Sequence, residues 1–71
     1  MNENIEYTQV VLSKLTKKDI NRAVSHQQRT DMEYGIITSY DDKAVYVHFN
    51  NGENSIMIVQ IEHLFFAKVK G

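Results

Sequence analysis

Three histidines, His26, His48 and His63, are the only imidazole ligands that this chain offers to a metal ion, and cysteine is absent. They lie 22 and 15 residues apart, on a predicted helix, a predicted strand and a predicted turn. Structural zinc sites are usually built from ligand pairs separated by only a few residues. The spacing therefore predicts no metal site, and the sequence predicts no cofactor.

Carboxylates could supply acid–base chemistry, but their positions do not favour it. Asp41 and Asp42 are adjacent, while Glu53 and Glu62 stand alone. Catalytic carboxylates must converge across a cleft in different environments, whereas an Asp-Asp pair is typical of an open, solvated turn. The chain also lacks a Ser-His-Asp pattern, a glycine-rich phosphate loop and a nucleotide fingerprint. The sequence predicts a protein that is not an enzyme.

Positive charge is concentrated in the first half of the chain. Its basic residues there are Lys14, Lys17, Lys18, Arg22 and Arg29, and the longest basic run is Lys17-Lys18. The net charge of the whole chain is -1, so composition gives no strong electrostatic footprint for nucleic acid. These side chains either form an ordinary solvated surface or contact phosphates.

The elements that position these residues begin with a predicted strand, Tyr7–Leu12, rich in β-branched and aromatic residues. Residues 1–6 are expected to be a frayed terminus. From Ser13 to about Gln28 the apolar residues fall close to one helical face, which predicts a short helix. Thr16 is its expected N-cap, with Asp19 three residues later as the acidic partner of a capping box.

The central segment predicts a β-hairpin. A strand from Tyr34 to Tyr40 and a second through Phe49 flank the turn Asp41-Asp42-Lys43. Because side chains alternate between faces, we expect an all-apolar set to face the core together with Ile37. That set is Val45, Val47 and Phe49.

The opposite face of the hairpin is then expected to carry Thr38, Tyr40, Tyr46 and His48. Tyrosine offers a large contact area with a polar group and is enriched at protein interfaces. With Arg22, these residues form the predicted partner-binding surface. If the predicted helix covers the tyrosines, the binding surface moves to the exterior of that helix.

Three further elements follow the hairpin. Asn50-Asn51-Gly52-Glu53 predicts a second tight turn, and Ser55–Val59 predicts a third strand of the sheet. A single helical or 3₁₀ turn is expected at Ile61–Leu64, and Phe65–Val69 is expected to be a closing strand.

The string from Gly35 to Phe49, then Asn51-Gly52, then Ile61-Glu62-His63-Leu64, resembles the SH3-like small barrels of many bacterial and bacteriophage proteins. The resemblance covers about half of the chain. It implies a mainly β fold, a five-stranded partly open barrel over residues 1–71, with one short helix inserted after the first strand. Tudor-like relatives of this class bind ligands in aromatic cages. Tyr34, Tyr40 and Tyr46 could form such a cage if they cluster.

The length of 71 residues allows one small core, so nearly every large apolar residue is expected to be buried. The absence of cysteine and of a leader-like segment favours a cytoplasmic protein, and the short apolar runs predict no membrane span.

These features together predict a non-enzymatic protein-interaction module, in the manner of a bacterial or phage accessory protein that binds a larger protein. The alternative is a weak nucleic-acid-binding barrel, in which the basic residues contact phosphates and the tyrosines stack on bases. Self-association through the closing strand or the hairpin edge is a third possibility. Monomer and dimer both stay open at this point.

Overall fold

In the computed structural model, which describes residues 4–50, 52 and 54–70, the chain forms one antiparallel sheet. Its strand order is β1-β6-β2-β3-β4-β5, and the sheet does not close, so β1 and β5 are its edges. The described strands are β1 (Ile5–Gln9), β2 (Ala23–Gln27), β3 (Met32–Tyr40), β4 (Val45–Phe49), β5 (Ile56–Ile58) and β6 (Leu64–Val69). The described chain is therefore mainly β, with six strands in an open sheet where a partly open barrel of five was predicted.

The predicted helix between Ser13 and Gln28 is wrong. This stretch contains two single 3₁₀ turns, Leu12–Lys14 and Lys17–Asp19, and then strand β2. Asn21 adopts a left-handed φ of 74°, which ends the second turn. The Asn21 N–H then donates to the Ile37 carbonyl at 2.7 Å, so the backbone joins β3 instead of continuing a helix.

The capping signal in this segment is real, although it caps a 3₁₀ turn. The Thr16 hydroxyl accepts from the Lys18 N–H at 3.3 Å, and the Asp19 carboxylate accepts from the Thr16 N–H at 2.9 Å. The bond from the Thr16 N–H is the largest cause of a lowered pKa at Asp19, and a bond from the Arg22 side chain lowers this pKa further. Asp19 also forms a salt bridge with Arg22, with 3.0 Å between Arg22 Nη1 and Asp19 Oδ1. Together with the bonds between Thr16 and its neighbours, this salt bridge fixes the backbone that leads into β2.

The amino-terminal segment is ordered earlier than predicted. β1 begins at Ile5 and pairs with β6, and the Lys70 N–H donates to the Asn4 carbonyl at 2.8 Å. Fraying through Glu6 is therefore wrong, and the remainder of that prediction, residues 1–3, lies outside the described residues. The predicted first strand also ended too late, because Leu12 belongs to a 3₁₀ turn.

The central hairpin is confirmed. Val47 pairs with Ile37, and the predicted core residues of β4 are buried with Ile37 in the hydrophobic core. The Asp41 carboxylate accepts from the N–H groups of Lys43 and Ala44 at 2.8 and 2.9 Å, which closes the turn. These two bonds lower the pKa of Asp41. Asp41 and Asp42 are thus exposed turn residues, as predicted.

A β-bulge changes one face assignment. Ile37 pairs with Val47, but the next pair is Ser39 with Tyr46, so Thr38 is an extra residue in β3. The bulge brings Tyr40 opposite Val45, on the core side, where Tyr40 packs against the core. The prediction that Tyr40 shares the outward face with Tyr46 and His48 is wrong.

The later elements agree with the sequence. The second turn is present at Asn50, where the Gly52 N–H donates to the Phe49 carbonyl at 3.0 Å; Asn51 and Glu53 lie outside the described residues. β5, a 3₁₀ turn at Ile61–His63 and β6 follow in the predicted order. β6 is an interior strand, however, with β1 on one side and β2 on the other. It is therefore not free to self-associate through an edge.

No described helix is long and apolar enough to cross a membrane.

Candidate functional site: the outer face of the sheet

The strand register sorts the side chains of the sheet into two faces, because directly paired residues point the same way. One face holds the buried core. The other, here called the outer face, is formed by the pairs Ile5–Val69, Tyr7–Ala67, Gln9–Phe65, Ser25–Phe65, Ala23–Ile36, Ser25–Tyr34, Gln27–Met32, Ile36–His48, Ser39–Tyr46 and Tyr46–Met57.

The outer face contains no Asp, Glu, Lys or Arg, although such residues make up 24% of the chain. It is also apolar. The exposed large hydrophobic residues of the described chain number nine, and six of them lie on this face: Tyr7, Met32, Tyr34, Ile36, Met57 and Val69. An antiparallel sheet with one buried face normally presents polar residues on the other. The expectation that nearly every large apolar residue is buried is therefore wrong, and this face is the reason.

Two tyrosines meet above the middle of the outer face. Tyr7 lies on β1 and Tyr34 on β3, yet their hydroxyl oxygens are 2.6 Å apart, and either can donate. The Tyr7 hydroxyl also lies 3.8 Å from the Met32 sulfur. The bond to Tyr34, with some burial, raises the pKa of Tyr7. Both rings stay 37% exposed, so the pair covers the strands between them while presenting its own apolar edges to solvent.

Ser25 lies on β2 between Tyr34 and Phe65 and is fully buried. Within the described part of the chain, its hydroxyl has no hydrogen-bond partner. A serine at an outward position of a sheet is normally solvated, and its burial here follows from the bulky neighbours on both adjacent strands. The outer face thus has a second small packed layer built around this residue.

Ser25→Ala is expected to leave the fold intact and to raise the free energy of unfolding by about 1 kcal/mol, because it removes a buried hydroxyl that makes no bond. Urea unfolding of the two proteins measures the difference. A loss of stability on this substitution would show that the hydroxyl is bonded in solution.

The predicted partner-binding residues divide between the two sides of the sheet. Tyr46 and His48 point outward and are half-buried. The Tyr46 hydroxyl donates to Asp41 at 3.3 Å and contacts the Met57 sulfur at 3.6 Å, and the Asp41 charge raises the Tyr46 pKa. Thr38, in the bulge, donates to the Tyr46 carbonyl at 3.1 Å. These three therefore form one end of the outer face.

Arg22 and Tyr40 do not belong to that group. Tyr40 packs on the core, as described above, and the Arg22 guanidinium lies 3.8 Å over the ring of Phe66. Phe66 pairs with Val24, a core residue, so Arg22 lies on the opposite side of the sheet from His48. Nor do Tyr34, Tyr40 and Tyr46 form the predicted aromatic cage, because Tyr34 pairs with Tyr7 and Tyr40 points inward.

The basic residues also do not form one surface. Lys14 and Arg22 line a shallow cleft with Phe66, Asp19 and Thr8, and Lys17 and Lys18 occupy the neighbouring 3₁₀ turn. Arg29 lies in the connection between β2 and β3, beside His63. None of the five is on the outer face with the tyrosines.

Sequence reasoning missed most of the outer face, namely Tyr7, Met32, Ile36, Phe65 and Val69. A signal was present in β3, where Tyr34 and Ile36 alternate with Gly35 and Ile37 so that both faces are apolar. Such a strand is typical of a sheet covered on both sides.

No protein-family model matches this sequence, and comparison with curated proteins and with solved structures finds no match.

Two of the three histidines do come together. The rings of His26 and His63 have centroids 6.3 Å apart, and His26 also packs 6.1 Å from Phe49. Burial lowers the pKa of His26, the charge of His63 lowers it further, and Glu33 acts in the opposite direction. Within the described ranges no group of three metal-ligating side chains exists. The packing around His26 therefore disfavours its protonated form.

Stability is expected to fall as the pH drops below about 6.5, the ordinary histidine pKa. Because the folded state holds the His26 pKa below that value, the unfolded chain binds more protons there, and unfolding is favoured by acid. Urea midpoints between pH 5.5 and pH 8 measure this slope. His26→Gln should flatten this slope, and an unchanged slope in that variant would contradict the assignment.

Proposed function

We propose that this chain is a non-enzymatic protein-interaction module and that the outer face is its contact surface. The observation that supports the proposal is the composition of this face, which is apolar and free of Asp, Glu, Lys and Arg while the opposite face already holds the core. Large exposed apolar patches on small domains mark interaction sites.

The layered construction of protein domains supports the same proposal. A sheet that is apolar on one face needs one covering layer, and a sheet that is apolar on both needs two. Here the core side is covered in part by the 3₁₀ segments around Leu12, Leu15 and Ile20, whose side chains pack against the core. On the outer face the described residues supply the Tyr7–Tyr34 pair as cover and leave other large apolar side chains exposed. A partner protein supplies the missing layer.

A nucleic-acid partner fits this surface less well. Binding of single strands combines stacking rings with cationic side chains along one groove. The tyrosines lie on the outer face, whereas Lys14 and Arg22 lie on the other side, where Arg22 is paired with Asp19 and covers Phe66. The alternative function would need both sides of the sheet at once.

The kind of domain is also part of the proposal. Six antiparallel strands in an open sheet are compatible with an SH3-like small barrel of an accessory protein from bacteria or phages. Small barrels of this shape serve many functions, so shape alone supports no ligand. The weight of the proposal rests on the outer face.

Site-specific photocrosslinking tests the proposal. A photoreactive amino acid at position 36, on the outer face, is compared with one at position 11, which lies outside the strands and has a similar exposure, 41% against 38%. After irradiation in nuclease-treated extract of the source organism, a protein adduct is expected at position 36 and not at position 11. Equal labelling at both positions, or adducts that vanish with nuclease, would overturn the proposal.

A further inference from the structure

We propose that the layer covering the outer face is a second copy of this chain, so that the two sheets pack face to face about a two-fold axis. The inference rests on the proposed function, because it names the partner of the same surface. Three properties of the face lead to it: its lack of charged residues, the small size of the core beneath it, and the hydrogen bond that its two central tyrosines make with each other.

The absence of charge makes the face compatible with itself. In a two-fold contact each residue meets residues of the identical face, so a charged residue near the axis would meet its own copy at close range. Every outward pair from β1 to β5 avoids Asp, Glu, Lys and Arg. A face adapted to a partner of opposite charge would instead carry at least one such residue. Asp41 lies at the margin of the face, where its carboxylate accepts from the Tyr46 hydroxyl.

The core of a single copy is small. Its fully enclosed cluster consists of eight side chains, four of them valine. Chains of this length have little surplus stability and are commonly reinforced by association. Stacking two outer faces would bury Tyr34, Ile36 and Met32 in a second core without disturbing the first. This gain in buried apolar surface requires no other protein.

The tyrosine hydroxyls at the centre of the outer face need no hydrogen bond from a partner. The hydroxyls of Tyr7 and Tyr34 satisfy one another at 2.6 Å, and Ser25 is enclosed beneath its neighbours. Two such faces can therefore meet without leaving either tyrosine hydroxyl unbonded. Stacked sheets lie about 10 Å apart, a spacing that aromatic and long aliphatic side chains fill.

The extent of the face sets the expected strength. Six strands about 4.8 Å apart, with sixteen outward residues among them, give a contact of roughly 500 Å² in projection for each copy. That is below the roughly 800 Å² per partner of a standard stable interface. The dimer should therefore be in rapid exchange, with a dissociation constant on the order of 10 to 500 μM.

Sedimentation equilibrium of the purified protein from about 5 μM to about 1 mM tests the proposal. The wild type is expected to pass from monomer to dimer over this range. Ile36→Lys places a charge between Ala23 of β2 and His48 of β4, and it should raise the dissociation constant about tenfold or more. Val11→Lys, of matched exposure and outside the strands, should dimerise like the wild type.

Circular dichroism shows whether each variant is folded, and intermolecular NOEs in a mixed-isotope sample locate the contact independently of any variant. NOEs between outer-face methyl groups such as those of Met32 and Ile36 are expected. A dimer whose NOEs lie at the β5 edge, or that Ile36→Lys leaves intact, would overturn the proposal. A monomer at about 1 mM would do the same. If position 36 still crosslinks another protein in that case, the proposed function stands without the second copy; if it crosslinks nothing, both fail.

Discussion

Gly35→Ala should reduce the free energy of unfolding by about 3 kcal/mol or more, because its methyl group has no room. Gly35 faces the core from β3, opposite Phe49. A Cβ built there lies 2.5 Å from the His48 carbonyl oxygen, 2.9 Å from the Phe49 Cα and 2.9 Å from a Val47 methyl carbon. Two of these atoms are backbone, so relief requires β4 to move away from β3 and weakens their ladder.

The chain supplies a matched control for this change. At Gly52 an added Cβ meets nothing nearer than 3.6 Å, and no described glycine has a positive φ. Gly52→Ala should therefore shift the urea midpoint little. For a domain of this size the whole free energy of unfolding is on the order of 4 to 10 kcal/mol, so the two variants should differ visibly. Equal effects at the two glycines would show that β3 and β4 are not packed as closely as described.

Phe49→Ala is expected to cost about 3 to 5 kcal/mol, the range for truncating a buried phenylalanine. Phe49 is nearly fully buried, ends β4, and packs its ring against that of His26. Its loss opens a cavity at the end of the core that holds both histidines. Thermal and urea unfolding measure the cost, and the His26 resonances should shift in the same variant.

Two companion substitutions keep this prediction testable if Phe49→Ala does not fold. Phe49→Leu should retain the fold at a smaller cost, about 1 to 2 kcal/mol. Tyr46→Ala, three residues earlier on the outer face, should cost only about 1 kcal/mol, because its side chain is only half-buried and its bond to Asp41 is exposed. Equal losses at Phe49 and Tyr46 would mean that the two faces of β4 are assigned the wrong way round.

Local signals were sufficient wherever neighbours in sequence are neighbours in space. The hairpin could be predicted from alternation and from the Asp41 turn, and the bond between Thr16 and Asp19 from a capping pattern. The segment of β2 could not, because Val24 and its neighbours fit a helical face as well as a strand. Only pairing with β3 on one side and with β6, some 40 residues later, decides between the two.

The candidate surface was harder to predict for a different reason. One inserted residue at Thr38 reverses the direction of Tyr40, and the local sequence carries no glycine or other sign of a bulge there. Tyr7 and Tyr34 meet across two intervening strands, which requires the complete strand order. His26 and His63 likewise become neighbours only through the register of β2 with β6.

The interior position of β6 has a consequence for how the chain acquires its structure during synthesis. The segment from β2 through β5 can zip together as successive short-range hairpins, but β1 has no partner until β6 emerges. β1, which is synthesised first, can therefore pair only after β6 has been made. The pairing of β1 with β6 closes a loop that spans almost the whole chain. Such non-local closure slows folding, and until it occurs the unpaired strands are prone to aggregation. A nascent chain on the ribosome would thus stay incomplete until Val69 has cleared the exit tunnel.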